Sequence, residues 1–221
     1  MKILIIYAHP EPRSMNGAMF TEAIDTLINA GHEVKVSDLY AMQFNPVSDR
    51  TNFTTINDPI FFKQQLEEEY ASQANGFVTF IEEEQQKVEW CDLMIWQFPL
   101  WWFSVPAILK GWVDRVFAMG RFYGNGRIYE NGVFCDKKAL LSITTGGPEA
   151  NYIKDRYGDL SVILHPLQRG ILEFTGFSVL RPQVIYGTER QSPESLSLEV
   201  ETWKTRLSNI FEEVPIVMGN Y

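Results

Sequence analysis

The chain opens with the apolar run Lys2-Ile3-Leu4-Ile5-Ile6-Tyr7-Ala8, which leads through the polar loop His9-Pro10-Glu11-Pro12-Arg13-Ser14 into a segment that begins Met15-Asn16-Gly17. A nearly continuous β-branched run is typical of an interior strand of a parallel sheet. Over residues 15–30 the apolar positions recur at helical spacing, and Gly31 is a typical helix stop. The alternating run at residues 33–37 then predicts a second strand. These segments together predict a βαβ unit.

The same alternation continues along the chain. Further strands are predicted at residues 93–98, 138–144 and 177–185, and further helices at residues 106–117, 160–174 and 193–213. The fold class is therefore α/β, with a doubly wound five-stranded parallel sheet and helices on both faces. The second strand alternates between apolar and polar residues, so we expect it at an edge. Residues 1–221 are predicted to form a single domain.

Two acidic runs interrupt this pattern, Glu67-Glu68-Glu69 and Glu82-Glu83-Glu84. Both flank apolar positions at roughly helical spacing. Charge runs of this kind usually mark the solvated face of a helix. We therefore expect exposed carboxylates here, rather than a metal site or a docking surface.

Composition excludes several classes of protein. The 221 residues are 45% hydrophobic and 21% charged, which is close to the average of globular domains. Nineteen Lys and Arg against 28 Asp and Glu leave a net charge of −9, which disfavours nucleic-acid binding. The dispersed residues His9, His32 and His165 predict no metal site.

Two further features bear on where the protein works. Cys91 and Cys135 form no CxxC or zinc-ligand pattern, which fits a reducing compartment. The uncharged stretch at residues 93–109 is broken by Pro99 and Pro106, and it is too short to span a bilayer. The apolar start is likewise too short for a signal peptide. We expect a cytoplasmic protein that is not an integral membrane protein.

Ligands of open parallel sheets bind beyond the carboxyl ends of the strands, where strand order reverses. After the first strand, the amides of the helix start, the Ser14 hydroxyl and the Asn16 amide could hold a phosphate. The alternative is that Ser14 only caps the helix. The loop contains neither GxGxxG nor GxxxxGK[ST], so a standard dinucleotide fold or a P-loop is not supported.

Two more loops contribute to the same edge. The third strand is followed by Pro99-Leu100-Trp101-Trp102-Phe103, whose rings would be costly to expose unless a planar ligand covered them. The alternative is that these rings pack in the core or at a subunit interface. The fourth strand is followed by Thr144-Thr145-Gly146-Gly147, which allows backbone amides to approach a ligand. A phosphate cradle, an aromatic wall and a glycine ledge favour a flavin nucleotide over a sugar phosphate or a nucleoside triphosphate.

At these loops the chain resembles the flavodoxin-like NAD(P)H:quinone oxidoreductase family of the DT-diaphorase type. The similarity is carried by Ala8-His9 with Ser14 and Asn16, by Gln97-Phe98-Pro99-Leu100 with Trp102-Phe103, and by the stretch from Ser142 to Gly147. Other matching segments, such as Asp38-Leu39-Tyr40-Ala41-Met42, extend it over nearly the whole chain. The resemblance implies a flavodoxin-like fold and a homodimer with two active sites at its interface. It also implies a bound FAD, reduced by NADH or NADPH and then reoxidised by a quinone in a ping-pong, two-electron reaction.

Matching positions assign roles to individual residues. The resemblance implies these cofactor contacts: His9, Ser14, Met15, Asn16, Pro99, Leu100, Trp102, Phe103, Asp114, Thr144, Thr145, Gly146, Gly147 and Tyr152. It places Tyr123 of the opposite subunit, together with Asn125, Ile128 and Phe174, against the substrate. The Gly147 N–H and the Tyr152 hydroxyl are the implied catalytic donors, because they would stabilise the charge that develops on the reduced flavin.

The chain departs from the family pattern at several of these positions. The family commonly has a His-Gly-Asp triplet whose histidine assists the proton relay, whereas this chain has Tyr157-Gly158-Asp159. Tyr157 is thus the candidate replacement donor. At the substrate mouth Asn125 replaces an aromatic residue and Ile128 replaces a methionine. No basic contact for an adenine group is evident after Pro193, so FMN is an alternative to FAD.

Two other functions are compatible with such a fold. One is a flavin-binding regulatory or ancillary subunit of a membrane transporter, with little turnover. The other is a one-electron carrier of the flavodoxin type, which the aromatic wall at Trp101-Trp102-Phe103 disfavours because it suggests a substrate chamber. The quinone reductase is the leading hypothesis.

Overall fold

A computed structural model describes residues 1–217 and contains one parallel sheet between two layers of helices. The strands are β1 (Lys2–Tyr7), β2 (Glu33–Asp38), β3 (Leu93–Pro99), β4 (Lys138–Thr144), β5 (Ser178–Val179) and β6 (Gln183–Ile185). Their order is β2-β1-β3-β4, and both β5 and β6 pair with β4. The α/β, doubly wound prediction is confirmed, and β2 lies at the edge as expected.

Residues 1–217 contain six α-helices, of which five lie between strands and the last follows β6. They are α1 (Met15–Asn29), α2 (Gln64–Ala74), α3 (Thr79–Trp90), α4 (Ala107–Val116), α5 (Leu160–Leu167) and α6 (Pro193–Leu207). Two apolar clusters cover the sheet. One contains Trp96, Trp112 and Phe122, and the other contains Ile5, Met19 and Trp203. No helix among residues 1–217 has the length and apolar character needed to cross a membrane.

Three predicted boundaries were wrong. The predicted strand at residues 177–185 is two short strands, because Pro182 has no N–H to donate to the ladder between them. The predicted helix at residues 160–174 is α-helical only to Leu167 and continues as a π-helix at Gln168–Glu173. The last helix ends at Leu207, and Ile210–Glu212 forms a separate 3-10 turn.

The expectation of solvated acidic faces was also wrong for three carboxylates. Glu67, Glu68 and Glu84 are buried. Glu67 accepts hydrogen bonds from the backbone N–H groups of Asn57 (2.7 Å) and Asp58 (3.0 Å), which are supplied by the loop before α2. Buried carboxylates are tolerated only with such partners. These residues therefore anchor their helices and do not form a solvent-exposed acidic face.

Candidate functional site

A crevice of about 640 Å³ lies at the carboxyl ends of β1, β3 and β4. This is the edge at which strand order reverses, because the chain leaves β1 for β2 on one side and later enters β3 on the other. Ten predicted cofactor residues line it: His9, Ser14, Met15, Asn16, Pro99, Leu100, Trp102, Thr144, Thr145 and Gly146.

The loop after β1 is built around the start of α1. Ser14 is the N-cap, and its hydroxyl accepts a hydrogen bond from the Gly17 N–H, so the capping interpretation is confirmed. This cap satisfies the Gly17 N–H. The N–H groups that precede it at the start of α1 have no acceptor within the helix, and they lie at the crevice, where they would stabilise an anion. Gly17 is required because a Cβ there would lie 1.9 Å from the Pro12 carbonyl oxygen.

His9 stands in the same loop with a defined hydrogen-bonding role. Its Nδ1 lies 3.0 Å from the Glu11 backbone N–H and 3.0 Å from the Ser14 hydroxyl. Nδ1 also lies 3.1 Å from the Glu11 carbonyl oxygen, so the loop backbone offers this ring nitrogen both a donor and an acceptor. Hydrogen bonds from the Arg13 side chain and backbone lower the pKa of Glu11 to about 2. The loop therefore presents a histidine ring beside an ionised carboxylate.

The Asn16 side chain is hydrogen-bonded within the protein and is not free to donate to a phosphate. Its side chain is buried, with Nδ2 donating to Thr144 Oγ1 (2.6 Å) and Oδ1 accepting from Gln97 Nε2 (2.8 Å). These bonds tie the start of α1 to β3 and β4. The side chain thus holds the three loops together, while the backbone N–H of Asn16 belongs to the open first turn of α1.

The aromatic wall is a tight turn. Trp101 and Ser104 exchange both backbone hydrogen bonds, and the two central residues have positive φ, 51° for Trp102 and 59° for Phe103. This is the pattern of a type I′ turn, which large side chains rarely adopt. Trp102 is 95% exposed, and Trp101 and Phe103 are exposed as well. Packing of these rings in the core of the chain is excluded.

The opposite wall comes from the loop after β4. Thr145 is fixed by its hydroxyl, which donates to the Gly147 carbonyl (2.7 Å). Gly146 faces open space, since no heavy atom beyond its chain neighbours lies within 4 Å of a Cβ built there. A Cβ on Gly147 would lie 2.9 Å from the Tyr157 ring and 3.5 Å from the Tyr152 ring. Backbone and aromatic groups therefore form this wall.

The remaining candidates near the crevice form one aromatic group beside it. The ring of Tyr157 lies edge-on to Phe103 (centroids 5.8 Å apart) and to Tyr152 (5.6 Å). Tyr157 thus bridges the loops after β3 and β4. Phe103, Gly147, Tyr152 and Tyr157 are brought together, although none of them lines the crevice itself.

The predicted substrate residues lie elsewhere in the chain. Tyr123, Asn125 and Ile128 follow α4, and Phe174 follows α5 and its π-helix; both helices run back from the crevice edge to the amino ends of the strands. Tyr123 packs against Phe174, with ring centroids 5.6 Å apart. Burial raises the pKa of Tyr123, and the nearby Glu68 raises it further. Within one chain these residues do not meet the crevice.

Asp114 and the weaker contacts complete this second group. The Asp114 carboxylate pairs with Lys110 (2.6 Å) on the exposed side of α4, so it too is separate from the crevice of its own chain. Asn125 lies 3.5 Å from Glu69. These placements do not test the predicted roles, which stay predictions.

The crevice also contains residues that the sequence did not mark as cofactor contacts: Glu11, Trp101, Thr188, Glu189 and Leu196. The last three come from the turn after β6 and from the first turns of α6. No motif distinguishes them, because only the path of α6 over the sheet brings them to the crevice.

The strand order β2-β1-β3-β4-β5, with a crevice at the point where it reverses, is that of a flavodoxin-like protein. The flavodoxin-like fold family model matches residues 1–207, so the chain belongs to this family.

Within this family, the chain is similar to several proteins whose names state an activity. The chain is 46% identical over 217 residues to "NAD(P)H dehydrogenase [quinone] 1" of Cavia porcellus, covering 97% of this chain and 79% of the relative. It is 45% identical to "Ribosyldihydronicotinamide dehydrogenase [quinone]" of Rattus norvegicus, covering 97% and 94%. A crystal structure of a Klebsiella pneumoniae protein assigned as a quinone reductase superposes with a TM-score of 0.94 at 41% identity, covering 98% and 87%. A more distant relative, 31% identical over 93% of this chain and 94% of its own length, is the potassium-efflux ancillary protein KefF of Enterobacter sp. (strain 638).

Proposed function

We propose that this protein is an NAD(P)H-dependent quinone reductase that binds a flavin nucleotide in the crevice. The observation that carries the proposal is the pairing of an exposed, strained aromatic turn at Trp102 with an open glycine ledge at Gly146, both beside the start of α1. A planar ring system would cover the exposed tryptophan, and a phosphate would receive the free amides. Relatives at 44–46% identity that carry quinone reductase names support this reading.

The residues present fit such a cofactor. The N–H groups of α1 and the His9 ring would hold the phosphate, and the turn at Trp102 and the ledge at Gly146 would flank the ring. When bound, a flavin accepts a hydride from a nicotinamide and passes two electrons to a quinone. The role of the protein is to exclude water and to supply donors, for which the Gly147 N–H and the Tyr152 hydroxyl are the candidates.

FAD is the favoured nucleotide. Besides the three predicted loops, the crevice of about 640 Å³ is lined by Thr188, Glu189 and Leu196, and this larger extent supports a nucleotide with an adenosine half. FMN would leave that end of the crevice without a ligand group. The free thiols of Cys91 and Cys135 support a cytoplasmic protein.

A homodimer would complete the site. The predicted substrate residues around Tyr123 are not among those that line the crevice of their own chain, so a quinone in the crevice would meet them from a second copy. Exposed apolar side chains on α2 and just before it, the helix whose Gln65 donates to the Tyr123 hydroxyl (3.3 Å), support such an interface: Ile60, Phe61, Leu66 and Tyr70.

The proposal is tested by the mass and absorbance of the compound released on denaturation, together with NADH and NADPH oxidation in the presence of menadione. We expect released FAD, rapid turnover and a dimer by sedimentation. Released FMN with turnover would correct the nucleotide only. Released flavin with negligible turnover across several quinones, together with capture of a membrane partner, would replace the enzyme by the ancillary-subunit function.

A further inference from the structure

A buried chain of hydrogen bonds connects the three loops of the crevice. Gln97 on β3 donates from Nε2 to Asn16 Oδ1 (2.8 Å), and Asn16 donates from Nδ2 to Thr144 Oγ1 (2.6 Å). The residues are 1%, 2% and 5% exposed, respectively. Asn16 and Thr144 line the crevice, whereas Gln97 lies beneath it.

Each donor and acceptor in this series of hydrogen bonds can be assigned. The Gln97 Nε2 group also lies 3.7 Å from the Met19 sulfur, which can only accept, so the amide nitrogen faces both acceptors. Asn16 must then turn its oxygen to Gln97 and its nitrogen to Thr144. The Thr144 hydroxyl accepts that bond and keeps one proton to donate. Among the described residues no acceptor receives this proton, and the side chain borders the crevice.

We propose that Gln97 is a positioning residue that acts through Asn16 to make the Thr144 hydroxyl a hydrogen-bond donor toward the bound flavin nucleotide. The inference rests on the proposed function, because it needs a ligand acceptor in the crevice. It assigns a role to a residue that has no contact with the crevice. Without Gln97, the Asn16 amide can flip so that its oxygen faces Thr144. The Thr144 hydroxyl can then donate its hydrogen bond to that oxygen instead of to the ligand.

The test is a double-mutant cycle read by flavin affinity. Apoprotein is prepared from the wild type, Gln97→Met, Thr144→Val and the double variant, and FAD binding is followed by quenching of flavin fluorescence. Methionine keeps the approximate length of the glutamine but donates nothing. Loss of one neutral hydrogen bond predicts an affinity about three- to tenfold lower for each single variant. The double variant should bind FAD no more weakly than Thr144→Val does. The visible absorption spectra of flavin bound to the two single variants and to the double variant should agree.

Two matched controls separate this role from simple packing. Ser142 is fully buried, lies opposite Gln97 in the β3–β4 register, and its hydroxyl has no partner among the described residues. Ser142→Ala should leave FAD affinity unchanged. Thr144→Ser keeps the hydroxyl and should bind FAD within about twofold of the wild type. If Gln97→Met does not fold, Thr144→Ser against Thr144→Val still tests the donated bond, and equal losses would overturn it.

The outcomes are distinct. Losses that multiply in the double variant would show that Gln97 acts only as a packing residue, and the inference would fail while the proposed function stands. A folded wild-type apoprotein that binds neither FAD nor FMN would remove the proposed function itself. Coupled losses with a shared spectrum would establish the positioning role.

Discussion

Replacing Gly146 with alanine should raise the stability of the flavin-free protein and lower its affinity for flavin. A Cβ at this position meets no heavy atom within 4 Å beyond the chain neighbours, and the backbone φ is outside the left-handed region. Alanine therefore fits without strain, and it restricts the unfolded chain, which is worth about 0.4–1 kcal/mol of stability. The methyl group projects at the crevice, where it would crowd a bound ring system. Overpacking of this kind costs roughly 1–3 kcal/mol, which corresponds to an affinity about five- to 150-fold lower.

The opposite signs of the two effects make the measurement selective. Urea unfolding of the apoprotein gives the change in the free energy of unfolding, and titration with FAD gives the affinity. Gly170 is the matched control, since a Cβ there also meets nothing within 4 Å, its φ is outside the left-handed region, and it lies in the π-helix rather than the crevice. Gly170→Ala should stabilise the apoprotein by a similar amount and leave FAD affinity unchanged.

One result would refute the reasoning. If Gly146→Ala stabilises the apoprotein but binds FAD as tightly as the wild type does, the flavin does not lie against the ledge at Gly146. An equal loss of affinity in Gly170→Ala would instead show that the effect is not local to the crevice.

Four further predictions concern the donors and the buried carboxylates. Tyr152→Phe should slow flavin reduction by roughly ten- to a thousandfold in stopped-flow experiments, and an unchanged rate would remove Tyr152 from the mechanism. Tyr157→His should leave that rate the same or raise it, whereas loss of activity with intact flavin binding would show that Tyr157 does not occupy the relay position. Burial pushes the pKa of Glu67 up, but hydrogen bonds from the Asn57 and Asp58 backbone and from Arg50 outweigh it, so the pKa is lowered. The ionised group therefore stabilises the fold above its unfolded pKa near 4.5. Glu67→Gln should lower the free energy of unfolding at pH 7. This loss should shrink as the pH falls and the native carboxylate is protonated. Burial raises the pKa of Glu68, so ionisation opposes folding there, and urea melts of Glu68→Gln should show the opposite pH trend.

The strand pattern could be predicted because each strand has a local signal. β1 and β3 are apolar on both faces, which only an interior strand of a covered sheet requires, and the alternation of β2 placed it at the edge. The last position of the sheet was harder, since residues 177–185 are rich in apolar and β-branched residues and have the pattern of one continuous strand. There the run does not show that Pro182 divides the pairing with β4 into two short ladders.

The buried carboxylates could not be predicted from local pattern. Glu84 accepts hydrogen bonds from the Ser37 hydroxyl (2.6 Å) and the Trp112 indole N–H (2.8 Å), and it pairs with Lys87. Two of these partners lie 47 and 28 positions away in the sequence. Spacing along a helix shows which positions share a face, but whether a charge on that face is buried depends on donors that tertiary contacts deliver. The same limit applies to Glu189 and Leu196 in the crevice.

The charge of the crevice explains how an acidic chain could hold a phosphate. Among the described residues that line it, none is Lys or Arg, and two are carboxylates, Glu11 and Glu189. Attraction by net charge is therefore absent, and the donors are neutral: the amides of the first turn of α1 and the Thr144 hydroxyl. Neutral donors bind an anion only when they point at it, since each is worth little if misaligned. The fixed directions of these groups, set by the Ser14 cap and by the Gln97–Asn16–Thr144 bonds, thus take the place of a cation. A net charge of −9 disfavours a polyphosphate backbone, but it has no bearing on a ligand held in this way.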